Sequence, residues 1–401
     1  MFGVPKGNVH VIWGTAERFK YNGYLEATSE KLISMIKDSH KEDILFVPYS
    51  SLQLFSTNSP EGIFFGEKWK NHGDTIVRDG GAGTYHAACK SEYSNPYGLK
   101  GKFIPVAPSP EFTDFLVWHY NKYLRKYNID GLYLDGGSAL PSINKDMGCG
   151  YIRNGVMRAT YPFFAFRELT KRTYTMLKEY GKEKGKDTFM IMHMSSNLII
   201  PILSFNDAYL DGEQFYPGRV PLKDNYLDVM SLDFIRAEAM GQNYGIMPYF
   251  LPEITSDINA KDRTKATYQL TGLSILHNFE LYAGSATSDM DEINKMYKVL
   301  DEFDIVDAKF IGYWKNQEFI KGQTDEIKCS LYRKAKGGAL LCILNLTREA
   351  KSPTLTVEWD KLKSGAEVAV VDANSKKVQL VSGKQITINL APLSYKLLWI
   401  K

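Results

Sequence analysis

Cysteine is scarce in this chain of 401 residues. The four cysteines, Cys89, Cys149, Cys329 and Cys342, form no Cys-x-x-Cys pair, which excludes the usual zinc-binding and thioredoxin-like spacings. Cys329 and Cys342 fall on neighbouring predicted strands and read as core thiols in preference to a bridge. No window approaches the roughly 18 consecutive apolar residues of a membrane span. An excess of one charge is also missing: 49 basic and 46 acidic side chains leave a formal charge of +3. No broad footprint for nucleic acid or anionic lipid results. The basic run Lys182-Glu183-Lys184-Gly185-Lys186 reads as a solvated helix end.

Phosphate loops and metal loops are absent as well. There is no Gly-x-Gly-x-x-Gly and no P-loop, and Gly80-Gly81-Ala82-Gly83 lies in a long connection without the strand-turn-helix setting that binds phosphate. Neither an Asp-x-Asp-x-Asp-Gly loop nor a His-x-x-x-His pair occurs, so no metal and no cofactor are expected. No repeat of roughly 20 to 50 residues is visible. The N-terminus, Met1-Phe2-Gly3-Val4-Pro5, has no basic head followed by an apolar run. The chain reads as soluble, with a periplasmic or extracellular address left open in case a leader was removed.

What is present is an ordinary globular composition, 44% hydrophobic and 24% charged. Short apolar runs alternate with helical segments. Eight strand-like runs precede residue 300: 8–14, 43–50, 102–107, 130–136, 188–194, 206–213, 243–250 and 278–284. Apolar spacings of three and four predict helices at 27–40, 110–127, 161–182, 227–241, 262–276 and 289–302. Parallel strands joined by helices close most economically into a barrel, which leaves no edge unpaired. After residue 312 the pattern becomes purely β, with turns such as Lys336-Gly337-Gly338. The expectation is an α/β protein with a (β/α)8 TIM barrel over 1–312 and an antiparallel β-sandwich over 313–401.

Two of the predicted barrel strands end alike, in Tyr133-Leu134-Asp135-Gly136 and Tyr209-Leu210-Asp211-Gly212. Alternation along a strand places Tyr133 with Asp135 on one face, and Tyr209 with Asp211 and Glu213 on another. Barrel active sites lie at the C-terminal ends of the strands, so these acids are expected around one pocket. Single carboxylates after strands commonly cap the next helix, but a repeated motif with a third acid is better suited to chemistry. Cleavage of a glycosidic bond uses two carboxyls, about 5 to 5.5 Å apart when the configuration is retained.

Supporting residues follow from position. His10 and Trp13 belong to the first run, Tyr49 to the second, His193 to the fifth and Tyr249 to the seventh, with Glu253 just beyond. Each has an ordinary alternative as a core aromatic, a structural histidine or a loop carboxylate. Arg153, Arg158 and Arg219 lie in loops after strand ends and suit a carboxylate or sulfate on an acidic sugar, or plain loop ion pairs. The long segment 56–101 offers Arg78, Asp79, Tyr85 and His86 as lid or specificity residues.

The run DGLYLDGG resembles the nucleophile strand of retaining glycosidases of the α-galactosidase clan, and the acids of DAYLDGEQF match the place of that clan's acid/base. The stretch from YPFFAFRELTKRTY through HMSSNLIIPILSFNDAYLDGEQF resembles a bacterial glycoside-hydrolase-like family related to β-N-acetylgalactosaminidases. Motif-level likeness covers residues 130–217. It implies a retaining, exo-acting glycosidase on an α-galactose-like sugar, with Asp135 as nucleophile and Asp211 or Glu213 as acid/base. Tyr133 and Tyr209 would contact substrate beside them, and the partner would be an oligosaccharide or polysaccharide-derived substrate. The close Asp211-x-Glu213 spacing also resembles enzymes in which the substrate's acetamido group is the nucleophile; a barrel that binds carbohydrate without cleaving it is the third alternative. The oligomeric state is not legible.

Overall fold

The structure is a computed structural model and describes residues 9–12, 30–57, 59–71, 93–94, 100–101, 103–195, 197–215, 225–239, 245–254, 259–284, 286–362, 369–381 and 383–400. By its contacts the chain divides into two compact units, residues 1–210 with 244–247, and residues 211–243 with 248–401.

In the first unit, five strands run parallel in the order β1 (Val9–Ile12), β2 (Leu45–Ser51), β3 (Gly131–Asp135), β4 (Phe189–His193) and β5 (Ala208–Asp211), whose last residue opens the second unit. Helices α1 (Glu30–Lys41), α2 (Pro60–Trp69), α3 (Pro110–Tyr127) and α4 (Phe163–Lys184) lie between them in sequence. Local chemistry sets the helix ends. In α3 the Ser109 hydroxyl accepts from the Phe112 N–H, Pro110 starts the first turn, and Asn128 closes the helix at φ 55°.

The register separates two faces. Leu134 aligns with Met192, and Met192 with Tyr209, and these side chains join Phe46, Leu132 and Met190 in a core with Leu116, Tyr120, Leu124, Phe166 and Leu177 of α3 and α4. On the other face Tyr49 aligns with Tyr133, Tyr133 with Ile191, and Ile191 with Ala208. The helix-facing side is mainly apolar, with Ser50 bonded to the Tyr120 hydroxyl, and the opposite side carries Tyr49, Tyr133, Asp135 and His193.

The acids that precede β3 and β5 act as latches. Asp130 accepts from the Phe46 N–H at 2.8 Å and pairs with His40 and Lys186, each at 2.7 Å. Asp207 repeats the device, taking the Met190 N–H at 2.8 Å and Lys178 at 2.9 Å. Each carboxylate thereby fixes the register of a neighbouring strand through a backbone donor.

One expected strand is corrected. The run at 102–107 supplies Phe103–Pro105, which pairs antiparallel with Leu54–Ser56 and stays out of the parallel sheet. The run is short and takes its partner from the nearby segment that follows β2. β2 pairs directly with β3 instead.

In the second unit β6 (Met247–Phe250), whose first residue belongs to the first unit, and β7 (Glu280–Leu281) are parallel neighbours, accompanied by α5 (Leu232–Glu238), α6 (Ala260–His277) and α7 (Met290–Phe303). α5 is shorter than the predicted 227–241 because a 3-10 turn at Tyr226–Asp228 precedes it and Ser231 caps the true start, accepting from the Phe234 N–H. Beyond α7 the chain is β. A six-stranded antiparallel sheet contains β8 (Ala308–Ile311), β9 (Ile327–Lys334), β10 (Ala339–Asn345), β11 (Ala369–Asp372), β12 (Val378–Leu380) and β13 (Tyr395–Ile400) in the order β8-β9-β10-β13-β11-β12. A three-stranded sheet of Ile320–Lys321, Thr354–Val357 and Gln385–Thr387 forms the second layer.

Inward residues of both layers, including Ile327, Leu331, Leu341, Leu355, Ile386 and Leu398, make one core. The other face of the larger sheet packs on α6, where Ser330 and Tyr332 donate to the Leu276 and Ile275 carbonyls at 2.7 Å. Ser330, not Cys329, aligns with Cys342, so the two cysteines point to opposite faces and are free thiols. Among the described residues no helix is long and apolar enough to cross a membrane.

Candidate active site

β3 delivers Asp135 at its C-terminal end. Gly136 turns the chain there at φ +82°, and its N–H donates to Asp135 Oδ1 at 2.7 Å. A Cβ at Gly136 would lie 2.7 Å from Gln53 Cγ, so both the turn and the space call for glycine. From β2, the Tyr49 hydroxyl donates to Asp135 Oδ2 at 2.6 Å. Its ring stacks on Tyr133 with centroids 5.5 Å apart and planes 25° from parallel.

β4 contributes His193, which is buried. Nδ1 lies 3.3 Å from Asp135 Oδ1 and 2.8 Å from the Tyr133 hydroxyl, and Nε2 lies 2.8 Å from Ser195 Oγ. A proton on Nδ1 lets the ring donate to the carboxylate while the Ser195 hydroxyl donates to Nε2. Burial alone would raise the Asp135 pKa. Hydrogen bonding and charge from His193, the Tyr49 hydroxyl and the Gly136 amide outweigh that and hold it below the ordinary carboxylate value. With a side-chain exposure of 33%, Asp135 is an oriented anion that solvent can still reach.

The first unit therefore assembles Asp135, Tyr49, Tyr133 and His193 into one network. It does not add Tyr209, which aligns with Met192 and sits 1% exposed in the helix-facing core. The expectation that Tyr209 lines the site beside Tyr133 is corrected on this register. The two matching tetrapeptides lie one residue out of phase, so their tyrosines face opposite sides of the sheet.

In the second unit Asp211 is fully buried. Gly212 turns the chain at φ +119°, where a Cβ would meet the Leu251 carbonyl oxygen at 2.5 Å, and the Leu251 N–H donates to the Asp211 carbonyl at 2.7 Å. The Asp211 carboxyl is hydrogen-bonded to Glu238, at the end of α5. Burial first, then the charge and hydrogen bond of Asp211, push the Glu238 pKa up to about 7. The pair thus retains a proton near neutrality. Glu238 carries no sequence signal: it lies on a helix separated from the β5 strand end and belongs to no motif.

Glu213 opens a 3-10 turn, Glu213–Phe215, and is exposed. Tyr249 on β6 is half-buried and aligned with Glu280 on β7, which accepts from the Tyr297 hydroxyl at 3.0 Å; burial raises the Glu280 pKa. Glu253 is buried, with its N–H donating to the Tyr226 hydroxyl at 2.9 Å, instead of lying in a solvated loop. The side chain of His10, together with Trp13, Arg78, Asp79, Tyr85, His86 and Arg219, lies outside the described residues. Among the described residues no group of three His, Cys, Asp or Glu side chains is placed to hold a metal ion.

Residues 292–390 match the family model described as Glycoside hydrolase 123, C-terminal domain. No curated protein sequence matches the chain. Solved structures do. A noncanonic maltogenic α-amylase from Thermotoga neapolitana aligns at 12% identity and TM-score 0.56, over 93% of this chain and 81% of that one. A GH27 β-L-arabinopyranosidase from Geobacillus stearothermophilus aligns at 8% identity and TM-score 0.52, over 100% and 86%. A putative α-galactosidase/melibiase from Bacteroides fragilis aligns at 12% identity and TM-score 0.51, over 98% and 71%. The chain accordingly has the fold of these glycoside hydrolases, an α/β protein of the (β/α)8 TIM-barrel type, with seven parallel strands among the described residues, and a C-terminal antiparallel β-sheet domain.

Proposed function

We propose that this chain is a retaining glycosidase in which Asp135 is the nucleophile. The observation that carries the reading is the network around Asp135: three donors keep a reachable carboxylate ionised and aimed. A nucleophile must be anionic while its partner acid holds a proton, and two carboxyl environments shifted in opposite directions meet that requirement. The Asp211–Glu238 pair supplies the proton-retaining environment. Asp211 or Glu213 is the acid/base; alternation along β5 keeps the buried Asp211 on the Tyr209 side of the strand, which favours the exposed Glu213 beyond the Gly212 turn.

In the first step the acid protonates the glycosidic oxygen, the bond from that oxygen to the anomeric carbon breaks, and Asp135 forms an ester to the anomeric carbon. In the second, water attacks that carbon, its proton returns to the acid/base, and Asp135 leaves as carboxylate. The likeness to a putative α-galactosidase/melibiase supports exo action on an α-galactose-like sugar. Asp135→Asn is expected to lower kcat at least a thousandfold on any aryl glycoside the wild type cleaves, with an unchanged melting curve. Activity within tenfold of wild type rejects the assignment.

A second reading, substrate-assisted cleavage of an N-acetylhexosaminide, is favoured by the C-terminal domain match and by the separation of Asp211 and Glu213 into one buried and one exposed acid. Tight inhibition by a sugar thiazoline supports it.

A further inference from the structure

Between β3, which ends in Asp135, and α4, the chain builds a two-stranded ribbon from Tyr151–Arg153 and Val156–Arg158. Its turn, Asn154-Gly155, takes φ 52° and 72°, the doubly positive pattern that suits a twisted hairpin. The ribbon is anchored at its base. Ser142 and Thr160 exchange backbone hydrogen bonds at 2.9 and 3.0 Å, the Gly150 N–H donates to Thr160 Oγ1 at 3.0 Å, and the buried Ser142 hydroxyl donates to the Asn71 carbonyl at 2.6 Å.

Cross-strand pairing puts Tyr151 opposite Arg158 and Arg153 opposite Val156, so these four side chains share one face. All are exposed; Tyr151 retains 49% and Val156 50% of their accessible surface. The ribbon sequence YIRNGVMR holds no acid, and neither arginine forms an ion pair among the described residues. Among the described residues, then, both guanidiniums on this face lack a carboxylate partner.

We propose that this face is a binding site for an anionic oligosaccharide, with Arg153 and Arg158 taking a uronate carboxylate or a sulfate and the Tyr151 ring lying against a sugar face. Guanidinium forks match planar or tetrahedral oxyanions in a paired way that a single ammonium does not. An exposed aromatic beside them offers apolar surface for the ring's C–H groups. The connection follows the strand that carries Asp135, and loops after barrel strands form the substrate side of this fold. The inference deepens the glycosidase reading by naming the substrate class as acidic, and rests on that reading only for the ligand being a carbohydrate.

The test is equilibrium binding by calorimetry, which needs no turnover. The full chain is titrated with tetragalacturonate, a chondroitin sulfate tetrasaccharide and neutral galactotetraose, at 50 and 300 mM salt. The expected result is saturable binding of one or both anionic sugars, at least tenfold tighter than the neutral one and weaker at high salt. The Arg153→Gln/Arg158→Gln double variant is expected to lose that preference, and the Arg153→Lys/Arg158→Lys variant to keep part of it. The carboxylate and sulfate arms distinguish which anion is taken. Equal binding of neutral and anionic sugars, no binding of either anion, or binding untouched by the glutamine variant overturns the proposal. So does arginine-dependent binding to anionic phospholipid vesicles without binding to the sugars. If binding holds but no glycoside is cleaved, the catalytic reading fails and this one stands.

Discussion

Replacing Glu238 by glutamine tests the proton-sharing pair without knowledge of the substrate. Glu238 titrates at about 7 in the folded chain, against an ordinary value of 4.5. Between those values the folded state keeps a proton that the unfolded state has released, so the pair makes stability fall as pH rises through this window. Below it both states are protonated, the stabilisation of the protonated pair is fully present and it no longer varies with pH. At full weight the difference corresponds to about 3 kcal/mol. Glu238 is only half-buried, and solvent screening reduces this to about 1 to 2 kcal/mol. Glutamine still offers an amide N–H to the Asp211 carboxylate but cannot ionise. The measurement is urea unfolding of both proteins at pH 5 and pH 8. Wild type is expected to lose about 1 to 2 kcal/mol more than Glu238→Gln over that interval. Parallel losses, or a larger loss in the variant, refute the shared proton.

Two further outcomes follow from the first unit. Asp130→Ala leaves the Phe46 N–H, Lys186 and His40 without their acceptor, and is expected to cost about 3 kcal/mol in urea unfolding, the low end for a broken buried pair because His40 is partly exposed. Tyr49→Phe removes a donor that holds the Asp135 pKa down, so the acidic limb of the kcat/KM profile is expected to move to higher pH. Tyr209→Phe, on the helix-facing side, is expected to leave that limb in place. A shift of equal size in both variants contradicts the assignment of faces.

The sequence made much of this legible because barrels write their strands as short apolar runs and their chemistry at strand ends. DGLYLDG announced β3 and its acid, and Tyr49, Tyr133 and His193 were read from their positions on neighbouring strands. Three things could not be read. Phase is one: Tyr133 and Tyr209 sit in the same tetrapeptide, yet the register puts them on opposite faces, and register is set by latches such as Asp207 to the Met190 N–H. Pairing is another, since Phe103–Pro105 has a strand's composition but pairs antiparallel with Leu54–Ser56 outside the parallel sheet. The third is the partner of Asp211, because a glutamate at the end of α5 gives no periodic or motif signal until the fold brings it to the strand end.

The most direct measurement of the central claim is mass spectrometry of the intact chain and its peptides after exposure to a panel of 2-deoxy-2-fluoroglycosyl fluorides. These reagents accumulate the glycosyl-enzyme ester because the fluorine slows its hydrolysis. The account predicts a single added sugar on the peptide containing residues 131–136, mapped to Asp135 and absent in Asp135→Asn. A sugar attached to any other residue, or brisk cleavage of glycosides with thiazoline inhibition and no adduct at all, contradicts it.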